Sequence, residues 1–164
     1  MRNMKETKIL IVYDSRTGNT EKMAFAVAEG VKEMNGATAI VKKVDDTQLE
    51  NLLEADGIIV GSPTYYGQMS SKIKELFDES VKIHGKLTGK VGAAFTSAGG
   101  TATGAETTLL SILQAMLVHG MIIQGRADNK HYGVACVNAP NEEVTKLCRE
   151  LGKRTVELTT KIVR

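Results

Sequence analysis

Short apolar runs alternate with longer segments of helical period along the whole chain, and this alternation narrows the fold more than any other feature. It is the pattern of a parallel sheet whose strands are joined by crossover helices, an α/β class. Residues 8–13 (KILIVY) form the first expected strand. A helix over 19–34 follows, with Met23, Ala26, Val27, Val31 and Met34 on one face, and Asn35-Gly36 ends it. Residues 38–44 are β-branched with lysines near the end, which suits an edge strand. Thr47 and Glu50 have capping-box spacing for a short second helix, and 57–61 (GIIVG) is the third strand.

After a loop over 62–67, the spacing predicts a helix over 70–83 with Ile73, Leu76, Phe77 and Val81 inward. Residues 90–96 form the fourth strand. A glycine-rich stretch, 97–104, leads to a second capping-box spacing, Thr103 with Glu106, at the head of an apolar helix ending near Val118. The fifth strand is interrupted: 121–124 and 133–137 are both strand-like and flank the polar segment 126–132, so both pieces are expected near the sheet edge. Asn141 caps a final helix of about twenty residues with Val144, Leu147, Leu151, Leu158 and Ile162 as its inner stripe.

The 164 residues, 42% of them hydrophobic, suit a single domain over 1–164 with no linker or repeat, large enough to hold a core without disulfides or a structural metal. Cys136 and Cys148 make no CxxC pair and no cluster with His84, His119 or His131, so they are expected to be buried thiols in a reducing compartment. No apolar run reaches a membrane span of roughly 18 residues, and the start, Met1 to Lys8, is unlike a signal peptide. A cytoplasmic location and no membrane contact are the expectations. A net charge of +2 with scattered lysines and arginines, and an aromatic content of only 4%, argue against nucleic acid.

Open parallel sheets bind ligands beyond the carboxyl ends of their strands. After the first strand stand Ser15, Arg16, Thr17, Gly18, Asn19 and Thr20, a hydroxyl-rich turn running into a helix N-terminus. Free backbone N–H groups and the helix dipole suit a phosphate there, and three hydroxyls exceed what one cap needs. Neither GxxxxGK[ST] nor GxGxxG occurs, which disfavours NTP hydrolysis and dinucleotide binding. A phosphoacceptor domain would need clustered carboxylates after the first strand, where only Asp14 stands, and a cysteine-dependent phosphatase would need a thiol in that loop.

After the third strand, Pro63, Thr64, Tyr65, Tyr66 and Gly67 place two tyrosines side by side. Two rings in a polar loop suit a flat aromatic ligand, although either one singly is open to folding back onto the core. After the fourth strand, Ser97, Ala98, Gly99, Gly100 and Thr101 carry no bulky side chain, so the backbone can approach a ligand closely; the alternative is a plain flexible loop. A phosphate at the first loop and a planar heteroaromatic ring between the other two describe flavin mononucleotide (FMN). No metal site and no catalytic acid or base is called for.

At these residues the chain resembles the flavodoxin family, from Lys8 to the last helix. The pattern [ST]-x-T-G-x-T stands at 15–20, where the resemblance implies the FMN phosphate. Residues 61–70 (GSPTYYGQMS) look most like the WrbA-type NAD(P)H:quinone oxidoreductases, which implies flavin contacts for Thr64, Tyr65 and Tyr66. Residues 95–101 are similar to that branch's next flavin loop, and 117–121 to its His-Gly-Met motif, which implies that His119 lies by the flavin. On chemistry alone His119 is a helix C-terminal residue favoured by the dipole.

The resemblance implies a flavodoxin-like three-layer α/β/α sandwich with a five-stranded parallel sheet in the order 2-1-3-4-5. It implies noncovalent FMN and electron transfer to redox partner proteins. The alternative is reduction of a small quinone by NAD(P)H. It also leaves room for a homodimer in which a second chain walls the flavin. The insertion that WrbA-type proteins carry between strands two and three is missing, and so is any tryptophan, while net +2 is unlike the strongly acidic electron carriers. Gly67 is expected near flavin N5, where a residue lacking Cβ lets the peptide reorient during reduction.

Overall fold

A computed structural model describes residues 6–163; of the polar start noted above, residues 1–5 lie outside it. The central strand, β1 (Thr7–Tyr13), pairs in parallel with β2 (Ala37–Lys43) on one side and β3 (Gly57–Pro63) on the other, with Leu10 opposite both Ile40 and Ile58. β3 pairs in turn with β4 (Val91–Ala98). The next position is divided, as the sequence led us to expect. β5 (Ile122–Ile123) lies against Val91 and Gly92, and β6 (Val134–Val137) lies against Phe95 to Ala98. The order is β2-β1-β3-β4-β5, with β6 also on β4.

The strands are apolar on both faces because helices cover both. Ile9, Ile11, Ile59 and Phe95 pack beneath α1 (Asn19–Lys32) and α5 (Glu142–Val163). Leu10, Val12, Ile58, Val60 and Ala94 face the layer formed by α2 (Leu49–Glu54), α3 (Ser71–Glu79) and α4 (Ala105–Val118). Alternate residues of each strand therefore serve opposite cores. Where α1 crosses α5 the backbones touch: a Cβ on Gly30 would lie 2.0 Å from the Arg149 carbonyl oxygen, and one on Gly152 would lie 2.3 Å from that of Val27. No helix among the described residues is long and apolar enough to cross a membrane.

Several local expectations are corrected. Helix α1 stops at Lys32, and Met34 packs from the turn that follows. Val81 points outward, because α3 gives way at Ser80 to a 3-10 turn that buries Ile83 instead. Thr47 does not cap α2; its hydroxyl donates back to the Lys43 carbonyl, and the Gln48 N–H is received by Asn51 Oδ1 at 2.9 Å. Thr103 likewise donates to the Gly100 carbonyl, and α4 starts from Gly104 in a left-handed conformation. Ile162 is exposed, whereas Thr155 and Thr159 line the inner face of α5, each hydroxyl donating to a carbonyl four residues back. Asn141 caps α5 as expected, its Oδ1 receiving the Val144 N–H at 2.9 Å.

Candidate functional site

The loops after β1, β3 and β4 meet at the carboxyl end of the sheet, and side-chain hydrogen bonds tie them to one another. In the first, Gly18 adopts φ +92 as the residue before α1, and Ser15 Oγ receives its N–H at 3.1 Å. No side chain caps α1. Its first-turn N–H groups are thus left for an anion, with Ser15 and Thr17 beside them. Thr20 is buried and its hydroxyl lies 2.8 Å from Ser97 Oγ, which joins this loop to the one after β4.

The second loop is held from below. Ser62 is fully buried and receives the Ser70 N–H at 2.8 Å, which sets the start of α3. Thr96 donates to the Ser62 carbonyl at 2.7 Å, so its hydroxyl proton is committed and Thr64 Oγ1, 2.9 Å away, is the donor to it. The Thr64 N–H donates to the Ser97 carbonyl at 2.8 Å. Beyond Thr64 the chain makes a tight hairpin, with Tyr65 and Gln68 exchanging backbone hydrogen bonds at 3.1 Å each way. Tyr66 (φ 49) and Gly67 (φ 76) are both left-handed, the geometry of a type I′ turn, and the Tyr66 ring stands fully in solvent. Tyr65 is half-buried, and the Arg16 guanidinium sits 4.9 Å from its ring centroid.

The third loop begins buried at Ser97 and Ala98 and emerges at Gly99. It closes on the second through two glycines: a Cβ on Gly104 would lie 2.4 Å from the Gly67 Cα. Met69 is fixed from the same side, its N–H received by Ser111 Oγ at 3.1 Å. Sequence reasoning missed these supports, Ser62, Thr96, Gly104 and Ser111. The legible signal was the polar pair Thr96-Ser97 closing an otherwise apolar strand.

Pro63, Thr64, Tyr65, Tyr66 and Gly67 therefore share one end of the sheet with the residues of the first and third loops. His119 does not. It follows the last residue of α4, and fourteen helical residues separate it from the loops, about 20 Å along the axis. The crossover helix runs antiparallel to the strands, which carries its C-terminus to their opposite ends. There His119 is buried, and its Nε2 lies 2.7 Å from Ser80 Oγ. The Ser80 hydroxyl itself donates to the Phe77 carbonyl at 2.6 Å, so Nε2 carries the proton and Nδ1 has no partner. Burial, with the nearby His84 ring second, holds the His119 pKa below its ordinary value. The structure thus sets His119 apart from this chain's own three loops and at the end of the helix, the place that its chemistry alone suggested.

Three further side chains are kept uncharged. Burial, followed by the hydrogen bond to Glu21, pushes the Tyr13 hydroxyl up to about 12; it donates to Glu21 Oε2 at 2.6 Å. Cys136 and Cys148 are free and buried, as expected, and burial raises their thiols to about 11 and about 12. Such thiols are poor nucleophiles. No group of three or more His, Cys, Asp or Glu among the described residues is placed to hold a metal ion.

The arrangement suits a ligand with an anionic end and a flat ring. The uncapped helix N-terminus offers its N–H groups and hydroxyls to an anion, and the tyrosine-bearing hairpin stands beside a loop without bulky side chains.

Comparison with known proteins agrees with this geometry. The flavodoxin family model matches residues 11–116. The chain is 40% identical over 158 residues to a flavodoxin of Aquifex aeolicus, covering 92% of this chain and 85% of that one. It is 36% identical over 189 aligned positions to an NAD(P)H dehydrogenase (quinone) of Archaeoglobus fulgidus, covering 94% of this chain and 98% of the other. Among solved structures, the flavodoxin WrbA-like protein from Agrobacterium tumefaciens superimposes with a TM-score of 0.82 at 26% identity, over 95% of this chain and 99% of that one. The chain belongs to the flavodoxin family, as a flavodoxin-like redox protein whose cofactor is FMN.

Proposed function

We propose that this chain is an electron-transfer flavodoxin that carries electrons between redox proteins, with FMN held noncovalently by the three loops. The observation that carries the reading is their mutual fastening, Thr20 to Ser97, Thr64 to Thr96 and Gly104 against Gly67, at one end of the sheet. FMN, when bound, supplies the redox chemistry, accepting and releasing electrons one or two at a time.

The chain's own residues bind and orient. Ser15, Thr17, Asn19 and Thr20, with the backbone of Arg16 and Gly18 and the N-terminus of α1, hold the phosphate. Pro63, Thr64, Tyr65 and Gly67, with the backbone of Tyr66, line one side of the ring, and Ser97, Ala98, Gly99, Gly100 and Thr101 line the other. Ala98 and Gly99 place backbone rather than side chain against it. The Tyr66 ring, fully in solvent at the hairpin tip, is an aromatic contact for a protein partner. No proton-transferring side chain is assigned. The free buried thiols fit a reducing, cytoplasmic setting.

A second reading, reduction of quinones by NAD(P)H, is favoured by the full-length likeness to the Archaeoglobus enzyme and by the WrbA-like hairpin segment 61–70. Hydride transfer needs an open ring face. Anaerobic stopped-flow absorbance separates the two. FMN-loaded protein that ignores NADH and NADPH but reduces in two resolved one-electron steps with dithionite is the carrier. Rapid bleaching by either nucleotide in one two-electron step, followed by reoxidation with a soluble quinone, makes it the reductase.

A further inference from the structure

We propose that Arg16 sets the reduction potential of the bound flavin, through the positive charge it holds against Tyr65. This rests on the FMN reading above. Among residues 15–20, 64–70 and 97–104, which make up the three loops, Arg16 is the only one with a formal charge. Its guanidinium stands 4.9 Å from the Tyr65 ring centroid, within cation–π range, so the charge is held over an aromatic face beside the site. The neighbouring surface charges offset one another: Lys72 is paired with Asp45 at 2.7 Å. Asp14 is buried at the root of the first loop.

The physical consequence follows from charge balance. Full reduction of a flavin at neutral pH takes up two electrons, from the donor protein or from dithionite in a titration, and one proton from solvent. The ring system gains one negative charge. A cation held beside it favours the reduced form over the oxidised form. Arg16 is a positioning residue for Tyr65 as well, because a ring taken on one face by a guanidinium presents its other face to a planar partner. A lysine keeps the charge but stacks less well.

The test is a potentiometric titration of the FMN-loaded wild type, Arg16→Met and Arg16→Lys at low and high salt, preceded by titration of each apoprotein with oxidised FMN. Arg16 is exposed, so neither substitution touches the core. Arg16→Met is expected to lower the overall potential, equivalent to about a tenfold loss in preference for reduced over oxidised FMN. Arg16→Lys stays nearer the wild type, and the gap narrows as salt screens the charge. An Arg16→Met protein with wild-type potential, or an Arg16→Lys protein displaced as far as Arg16→Met, overturns the inference. Failure of the wild type to bind oxidised FMN overturns the cofactor assignment beneath it, and is visible before any potential is measured.

Discussion

Thr20 Oγ1 and Ser97 Oγ lie 2.8 Å apart in the buried floor of the site, joining the first turn of α1 to the end of β4 across 77 residues of sequence. The contact fixes how far apart the phosphate-side loop and the ring-side loop stand. Replacing Thr20 by valine keeps the shape and leaves the Ser97 hydroxyl buried without that partner, at a cost of about 1–2 kcal/mol. Urea denaturation of the apoprotein should show that loss, and a fluorescence titration should show FMN binding weakened about tenfold.

Gly67 and Gly104 should respond differently to alanine. At Gly104 the new Cβ would meet the Gly67 Cα at 2.4 Å, a backbone atom with no room to move, on top of φ +104. That substitution is expected to cost more than about 2 kcal/mol and to loosen FMN, as read by thermal unfolding with and without cofactor. At Gly67 the Cβ meets only Thr107 Oγ1 at 3.2 Å, so the left-handed φ of +76 dominates and the cost is about 1–2 kcal/mol. If this peptide reorients beside the flavin, Gly67→Ala also shifts the separation between the two one-electron potentials. An unchanged separation removes that role from Gly67.

His119 gives a clean test of its position in the fold. Its pKa is held below the ordinary histidine value by burial. The folded state therefore prefers the neutral ring, and the associated stability is present above the unfolded pKa of about 6.5 and lost as pH falls below it. His119→Ala should flatten the acid limb of the stability profile below about pH 6.5 and leave FMN affinity and potentials unchanged. A change in potential would return this residue to the flavin.

Tyr13 acts on the opposite limb. Its hydroxyl is raised to about 12 in the fold, so the stability it contributes is complete below the unfolded value of about 10 and is lost as pH rises through 12. Tyr13→Phe should remove the decline in unfolding free energy over that window, measured by chemical denaturation at fixed salt.

Much of this was legible in the chain itself. The apolar runs at 8–13, 57–61 and 90–96 become β1, β3 and β4, and the two short runs at 121–124 and 133–137 divide one edge position as their polar spacer implied. The hydroxyl-rich turn at 15–20 stands at an uncapped helix start. The illegible parts depend on tertiary partners. Thr47 and Thr103 have the spacing of helix caps, yet nearby carbonyls take their hydroxyls. His119 carries a motif that resembles a flavin contact, yet the direction of α4 puts it at the far end of the sheet. Ser62, Thr96 and Gly104 act only through residues distant in sequence, so no local pattern announces them.

The measurement that bears most directly on the account is a pair of fluorescence titrations of the apoprotein, one with FMN and one with riboflavin, which lacks the phosphate. One FMN should bind per chain, and riboflavin should bind at least about a hundredfold more weakly, because the first-turn amides of α1 and the hydroxyls of Ser15, Thr17 and Thr20 have nothing to hold. Equal affinity for the two, or no saturable FMN binding, would contradict it.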